Sequence, residues 1–123
     1  MYRVFDASGA CCAAFTFDRA ERDASHELPF VRPWAILTAY NPRSRRLSDA
    51  ENQARQRELM TEIDSLQLAW WRAEGAAPHG APPWIEPSLL VERMEIEPAA
   101  RLLDRFDQNA CVFCDRVGAG LLY

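Results

Sequence analysis

The sequence predicts an α+β fold: a ferredoxin-like β-α-β-β-α-β unit, with an antiparallel sheet covered by two helices on one face and an N-terminal β-hairpin extension. Three observations carry that prediction. From Trp34 onward, four short runs rich in apolar and aromatic residues alternate with two segments of helical period. The middle two runs are separated only by "GAAPHGAPP", a Gly- and Pro-rich loop with no helical pattern. The other two junctions each carry a helix-start signal, S-x-x-E at Ser48 and a proline at Pro98. At 123 residues the chain suits one domain, 1–123.

Each element has its own reason. "YRVFD" reads as a strand, "DASG" as a turn with Gly9 free to take positive φ, and "CCAAFTF" as a second strand, so residues 2–17 form a hairpin. Residues 18–33 show no clear period and read as a loop or a short helix. "WAILTAY" is a nearly continuous apolar run, the mark of a central strand, and Pro42 ends it because proline cannot donate to a ladder. Ser48 and Glu51 form a capping box, and Glu51 with Arg55 makes an i,i+4 pair in the favourable order. The apolar stripe of that helix is Leu59, Ile63 and Leu66, with Met60 beside it. Asn52 lies seven residues before Leu59, so its amide faces the sheet and must find partners there.

"LAWWRAE" is the next strand, ended by Gly75. "WIEPSLLVERM" follows as a strand with an irregular start around Pro87. Pro98 takes the first position of the second helix, where Ala99, Leu102, Leu103 and Phe106 recur at i, i+3, i+4 and i+7. "QNACVFC" is the last strand of the unit, and "GAGLLY" adds an edge.

The expected strand order 4-1-3-2 brings scattered polar residues to one end of the sheet. Asn41 ends the first strand of the unit there. The loop with Arg43, Arg45 and Arg46 and the helix start with Asn52 follow at the same end. Glu86 and Ser88 begin the third strand there, Gln108 and Asn109 begin the fourth, and the loop carrying His79 crosses the same end.

Composition excludes several classes of function. A net charge of −4, from 14 arginines with no lysine against 18 acidic residues, argues against bulk nucleic-acid binding. No segment approaches 18 consecutive apolar residues, and the N-terminus lacks a sustained apolar leader, so the chain reads as cytoplasmic without a membrane span. "CVFC" has metal or redox spacing, but on a strand its cysteines point to opposite faces. With Cys11 and Cys12, they read as small buried hydrophobes, with no metal or cofactor implied.

Glu86 beside Trp84 and two prolines is the best candidate acid or base, because partial burial raises a carboxylate pKa. His79 is the alternative. Ser88 has no evident His-Asp partner, so it does not read as a nucleophile. Asn and Gln present paired donors and acceptors, which suits an amide or nucleobase edge, and Tyr40, Trp34 or Trp84 are candidates to stack on a ring. The arginines and the helix start suit an anion, with Arg43 expected to turn inward and Arg46 to stay solvated. The same amides also suit a plainer role, as brackets for irregular loops.

The segments "ILTAYNPRSRRLSDAENQARQREL", "WIEPSLLV" and "RFDQNACVF" resemble those of an uncharacterised bacterial family known only as a domain of unknown function. Its pattern is similar: T-A-x-N-P, an Asn and a Leu in the following helix, then E-P-S and Q-N-A. Thr38, Asn41, Pro42, Asn52, Glu86, Pro87, Ser88, Gln108 and Asn109 fall on it. The resemblance runs from Trp34 to Cys114 and implies that these residues act as a set. It supplies no reaction.

The expected function is therefore a small-molecule binding domain for an anionic, amide- or nucleobase-bearing ligand, with acid–base chemistry as an extension. The expected ligand-binding residues are Asn41, Arg43, Arg45, Asn52, Glu86, Ser88, Gln108 and Asn109. The alternative is a protein-interaction or regulatory module that forms a homodimer through an open sheet face, with Trp70 or Trp71 on its surface.

Overall fold

The computed structural model describes residues 1–15, 28–77 and 84–123. Seven strands form one antiparallel sheet, with β1 at Tyr2–Phe5, β2 at Cys11–Phe15, β3 at Trp34–Leu37, β4 at Trp70–Ala77, β5 at Trp84–Glu92, β6 at Cys111–Cys114 and β7 at Ala119–Leu122. The order across the sheet is β2-β1-β4-β5-β3-β6-β7. Helices α1 (Asp49–Ser65) and α2 (Ile96–Arg105) follow β3 and β5. The N-terminal hairpin extends the sheet beyond β4, and β7 closes the other edge on β6. Among the described residues, no helix is long and apolar enough to cross a membrane.

Strand alternation builds two cores. Ala35, Leu37, Leu89, Val91 and Cys111 pack with Leu59 and Ile63 of α1 and with Ala99, Leu102 and Leu103 of α2. Full burial of each large aliphatic side chain there is worth about 1.5–3 kcal/mol. The intervening residues Trp34, Ile36, Leu90, Val112 and Cys114 point the other way and pack with Val4, Phe30 and Ala73. That second face is curled. Phe15 of the edge strand β2 meets Trp34 of β3 edge-on at 6.0 Å between ring centroids, although three strands lie between them.

α1 starts where the capping box puts it. The Ser48 hydroxyl accepts from the Glu51 N–H at 3.2 Å and donates to the Glu51 carboxylate at 2.9 Å. Several local expectations are corrected. β3 stops at Leu37 because the Thr38 hydroxyl takes the Tyr40 N–H at 3.1 Å. Gly75 does not end β4, which runs on to Ala77.

Pro87 causes no register shift in β5. Its carbonyl accepts from Thr38 Oγ1 and Gln56 Nε2, so its missing N–H faces the side where β3 has already ended and no ladder bond is lost. Pro98 is the third residue of α2, not the first, still within the turn whose N–H groups lack helical partners. Arg55 donates inward, to the carbonyls of Ala39 and Phe106, where an outward pair with Glu51 was expected. Leu66 caps α1 and is exposed, outside the stripe. β6 begins at Cys111, leaving Gln108 and Asn109 in the turn before it.

The cysteines split. Cys111 packs on the helix side and Cys114 on the opposite face, both as free thiols, whereas Cys11 and Cys12 are exposed on an edge strand and not buried as expected. Trp34 is fully buried, so it is no stacking surface for a ligand.

Candidate functional site

The stretch after β3 is held open by a pair of asparagines. Asn41 takes a left-handed conformation (φ 47°), as do Arg43 (52°) and Ser44 (60°). Such residues cost about 1 kcal/mol or more each unless the surroundings hold them. The Asn41 N–H donates to Asn52 Oδ1 at 2.9 Å, and Asn52 Nδ2 donates back to Asn41 Oδ1 at 2.9 Å. Asn41 Oδ1 also accepts the Leu47 N–H at 3.1 Å, so one side chain closes the loop on both sides. Asn52 is only 3% exposed, and these bonds satisfy its amide. One helical turn along, Gln56 accepts the Ala39 N–H at 2.9 Å. Arg43 bonds through its backbone N–H to the Asp107 carbonyl at 2.7 Å, and Asn109 Nδ2 donates to Ser44 Oγ at 3.1 Å.

Below this loop, on the curled face away from the helices, lies a cavity of about 620 Å³. Asn41, Ser44 and Arg46 line it from the loop, Ile36 and Thr38 from β3 and its end, and Glu86 and Ser88 from β5. Gln108, Asn109 and Cys111 close one side, and Tyr2 and Gly75 the other.

Glu86 is its main ionisable group. Burial pushes its pKa up to about 7, and the nearby Thr38 hydroxyl, which donates to the Pro87 carbonyl at 2.8 Å, offsets part of the rise. A carboxyl group of that pKa is close to half-protonated at neutral pH, the condition for giving and taking protons. The Cys111 thiol is pushed up to about 12 by burial, which leaves no thiolate for nucleophilic chemistry at neutral pH.

Asn41, Glu86, Ser88, Gln108 and Asn109 thus share one cavity, with Asn52 behind Asn41. Ser88 is buried, and its hydroxyl donates to the Glu86 carbonyl at 3.2 Å. Gln108 spends both amide hydrogens on the carbonyls of Tyr40 and Phe106, at 3.1 and 3.2 Å, which leaves Oε1 as an acceptor. Arg43 and Arg45 are exposed and do not line the cavity; Arg43 instead lies 3.9 Å from Asp107. Its left-handed backbone and its bond to Asp107 turn it away, and Arg46, also exposed, is the arginine of this loop that lines the cavity. His79 lies outside the described residues.

Sequence reading missed Tyr2, Gly75, Gln56 and Arg46. Gln56 had a signal, since it lies four residues after Asn52 on the inward face. Gly75 had one too: a glycine inside a strand marks a close approach by another group. Tyr2 had none, because it reaches the cavity through the pairing of β1 with β4, which no local signal gives.

Among the described residues, no three His, Cys, Asp or Glu side chains come together to hold a metal ion. No curated protein matches the chain. No solved structure matches it. A family model does match, over residues 37–111, a span that holds every lining residue from Thr38 to Cys111 but leaves out Met1, Tyr2, Ile36 and Val112. By that match the chain belongs to the family described as Protein of unknown function (DUF3293).

Proposed function

We propose that the chain binds a small anionic ligand bearing an amide or nucleobase edge in the cavity beside Glu86, and that Glu86 exchanges a proton with it. Glu86 carries this reading: a part-buried carboxyl with a pKa of about 7, lining a cavity, with no ion pair among the described residues. A structural carboxylate in a folded chain is normally paired or fully hydrogen-bonded. The amides support the ligand class. Gln108 Oε1 is left as an acceptor, and Asn41 Nδ2 has no acceptor among the described residues, so the wall offers one of each. Arg46 supplies the positive charge for the anionic part. The same reading takes the fold as a ferredoxin-like unit made of β3, α1, β4, β5, α2 and β6, supported by the central order β4-β5-β3-β6. The hairpin then serves as one wall of the site.

The reading as a dimerising module is less well supported. Trp70 and Trp71 are partly buried, with their indole N–H groups bonded to Asp64 and Glu92, and Phe30 packs edge-on against Trp71.

A thermal-shift screen of nucleotides, amino acids and acyl phosphates at pH 6 and pH 8 tests the proposal. A true ligand at about 100 times its Kd adds roughly 2.7 kcal/mol of stability, with an effect that differs between the two pH values. Stabilisation that Glu86→Ala leaves unchanged takes Glu86 out of the site. A screen with no stabilising compound removes the proposed ligand class.

A further inference from the structure

We infer that Tyr2 is the second functional group of this cavity: it faces the same space as Glu86 across the gap left by Gly75, and its hydroxyl donates to a carbonyl or phosphoryl oxygen of the ligand, an assignment that rests on reading the cavity as a ligand site. The register carries it. Tyr2 pairs with Gly75 across β1 and β4, and Gly75 pairs with Glu86 across β4 and β5, so the three form one row across the sheet. Residues in one row of antiparallel strands share a face. The middle position of this row has no side chain.

The ring of Tyr2 leans into that gap. A Cβ at position 75 would lie 3.2 Å from Tyr2 Cε1 and 3.6 Å from Cδ1. Gly75 does not have the positive φ that favours glycine, so space and not backbone conformation explains the residue. On the flank away from β4, Phe15 stacks on the same ring with centroids 5.6 Å apart at 28°, which holds it in place.

The electrostatics agree with that placement. Burial raises the Tyr2 pKa above its ordinary value of 10, and the negative charges of Glu86 and of an ionised Cys111 raise it further. Glu86 belongs to β5, two strands from β1, so the phenol senses the carboxyl across the position of Gly75. Arg46 and Met1 line the same cavity, and the Met1 amino group donates to the Ala76 carbonyl at 3.0 Å. At neutral pH the phenol keeps its proton, so it serves as a neutral donor next to a group that exchanges protons.

Two readouts test the assignment. The chain has three tyrosines, so Tyr40→Phe with Tyr123→Phe leaves Tyr2 as the only phenol in an ultraviolet titration, with circular dichroism confirming the fold across the range. The expected midpoint lies above 10 and falls when Glu86→Gln removes the neighbouring charge. A midpoint that Glu86→Gln leaves in place overturns the inference. The second readout uses AMP, GMP, CMP and UMP as probes. Tyr2→Phe, with an unchanged urea midpoint, should weaken whichever nucleotide the parent binds by about tenfold, roughly the loss of one hydrogen bond. Gly75→Ala should weaken it severalfold by displacing the ring. Undiminished binding by Tyr2→Phe also overturns the inference. If the parent binds none of the four, the nucleotide form of the proposed function fails, and the titration still decides whether Tyr2 belongs with Glu86.

Discussion

Asn52 and Glu86 are polar residues at the same end of one sheet, Asn52 buried on the helix side and Glu86 part-buried on the curled face. Asn52 exchanges hydrogen bonds with Asn41 and also donates to the Leu47 carbonyl, so its amide has partners throughout. Beside it, Gln56 and Arg55 likewise bond to backbone groups of the chain leaving β3. On the curled face, Glu86 has, among the described residues, only the Thr38 hydroxyl to set against the cost of burial, and its pKa rises. A polar group whose bonds are all made within the fold acts as a bracket. One that is desolvated and left short of partners has capacity for something else. The difference separates the scaffold of this end from its candidate chemistry.

The largest expected effect falls on the scaffold side. Asn52→Ala strips the Asn41 N–H of its acceptor and leaves a left-handed residue without its clamp. Leaving such groups unmet should cost about 2–3 kcal/mol, read as a lower urea midpoint with an unchanged slope. Ser88→Ala on the curled face should cost under about 1 kcal/mol, because its hydroxyl makes one 3.2 Å bond to a carbonyl of its own strand. If the two variants lose the same stability, the contrast between the faces fails.

Glu86 gives the next largest effect, and its sign is the reverse of the usual carboxylate. Its folded pKa of about 7 lies above the ordinary 4.5. Below pH 4.5 both states hold the proton. Between 4.5 and 7 the unfolded chain releases it first, so stability falls as pH rises and then levels off above 7. The full shift corresponds to roughly 3 kcal/mol, which partial solvent exposure reduces to about 1–2 kcal/mol. Chemical denaturation at pH 5 and pH 8 should show that loss in the parent, and Glu86→Gln should flatten it. An equal loss in Glu86→Gln would assign it to other groups.

The two faces also differ in how well they could be read from sequence. Asn52 was legible because helical period alone puts it in line with Leu59, and a buried amide must be bonded. The capping box at Ser48 was legible for a similar reason, since its signal is local. Glu86 was legible as a residue next to prolines and a tryptophan, and the strand order brought it to the end where Asn41 and Gln108 lie. What escaped depends on shape. Nothing local shows that β1 pairs with β4 so that Tyr2, Gly75 and Glu86 form one row, and from sequence Tyr2 belongs only to a flanking hairpin. The cysteines of the hairpin depart from expectation for a related reason. "CCAAF" looks like core, yet it forms an edge strand whose outer residues face water.

Local geometry also decided between the arginines, and they provide the smallest and most discriminating comparison. Arg43 and Arg46 belong to one short loop and carry the same charge. Proximity to the strand end favoured Arg43 as the inward one. Its φ of 52° and the bond from its N–H to the Asp107 carbonyl instead send the side chain outward, 59% exposed and 3.9 Å from Asp107. At that exposure the ion pair contributes little. Arg46 lines the cavity although its side chain is otherwise exposed. Both Arg43→Ala and Arg46→Ala should leave the urea midpoint within about 0.5 kcal/mol of the parent, as surface changes do. Their effects on an anionic ligand should differ. Arg46→Ala should weaken binding about tenfold, roughly 1.4 kcal/mol and the size of one charge-assisted hydrogen bond, and added salt should narrow the gap between variant and parent. Arg43→Ala should bind as the parent does. Equal losses in both variants would mean that the loop acts as a diffuse positive field and no single side chain reaches the ligand. A loss confined to Arg43→Ala would mean that the loop rearranges on binding, exchanging the Asp107 contact for one to the anion.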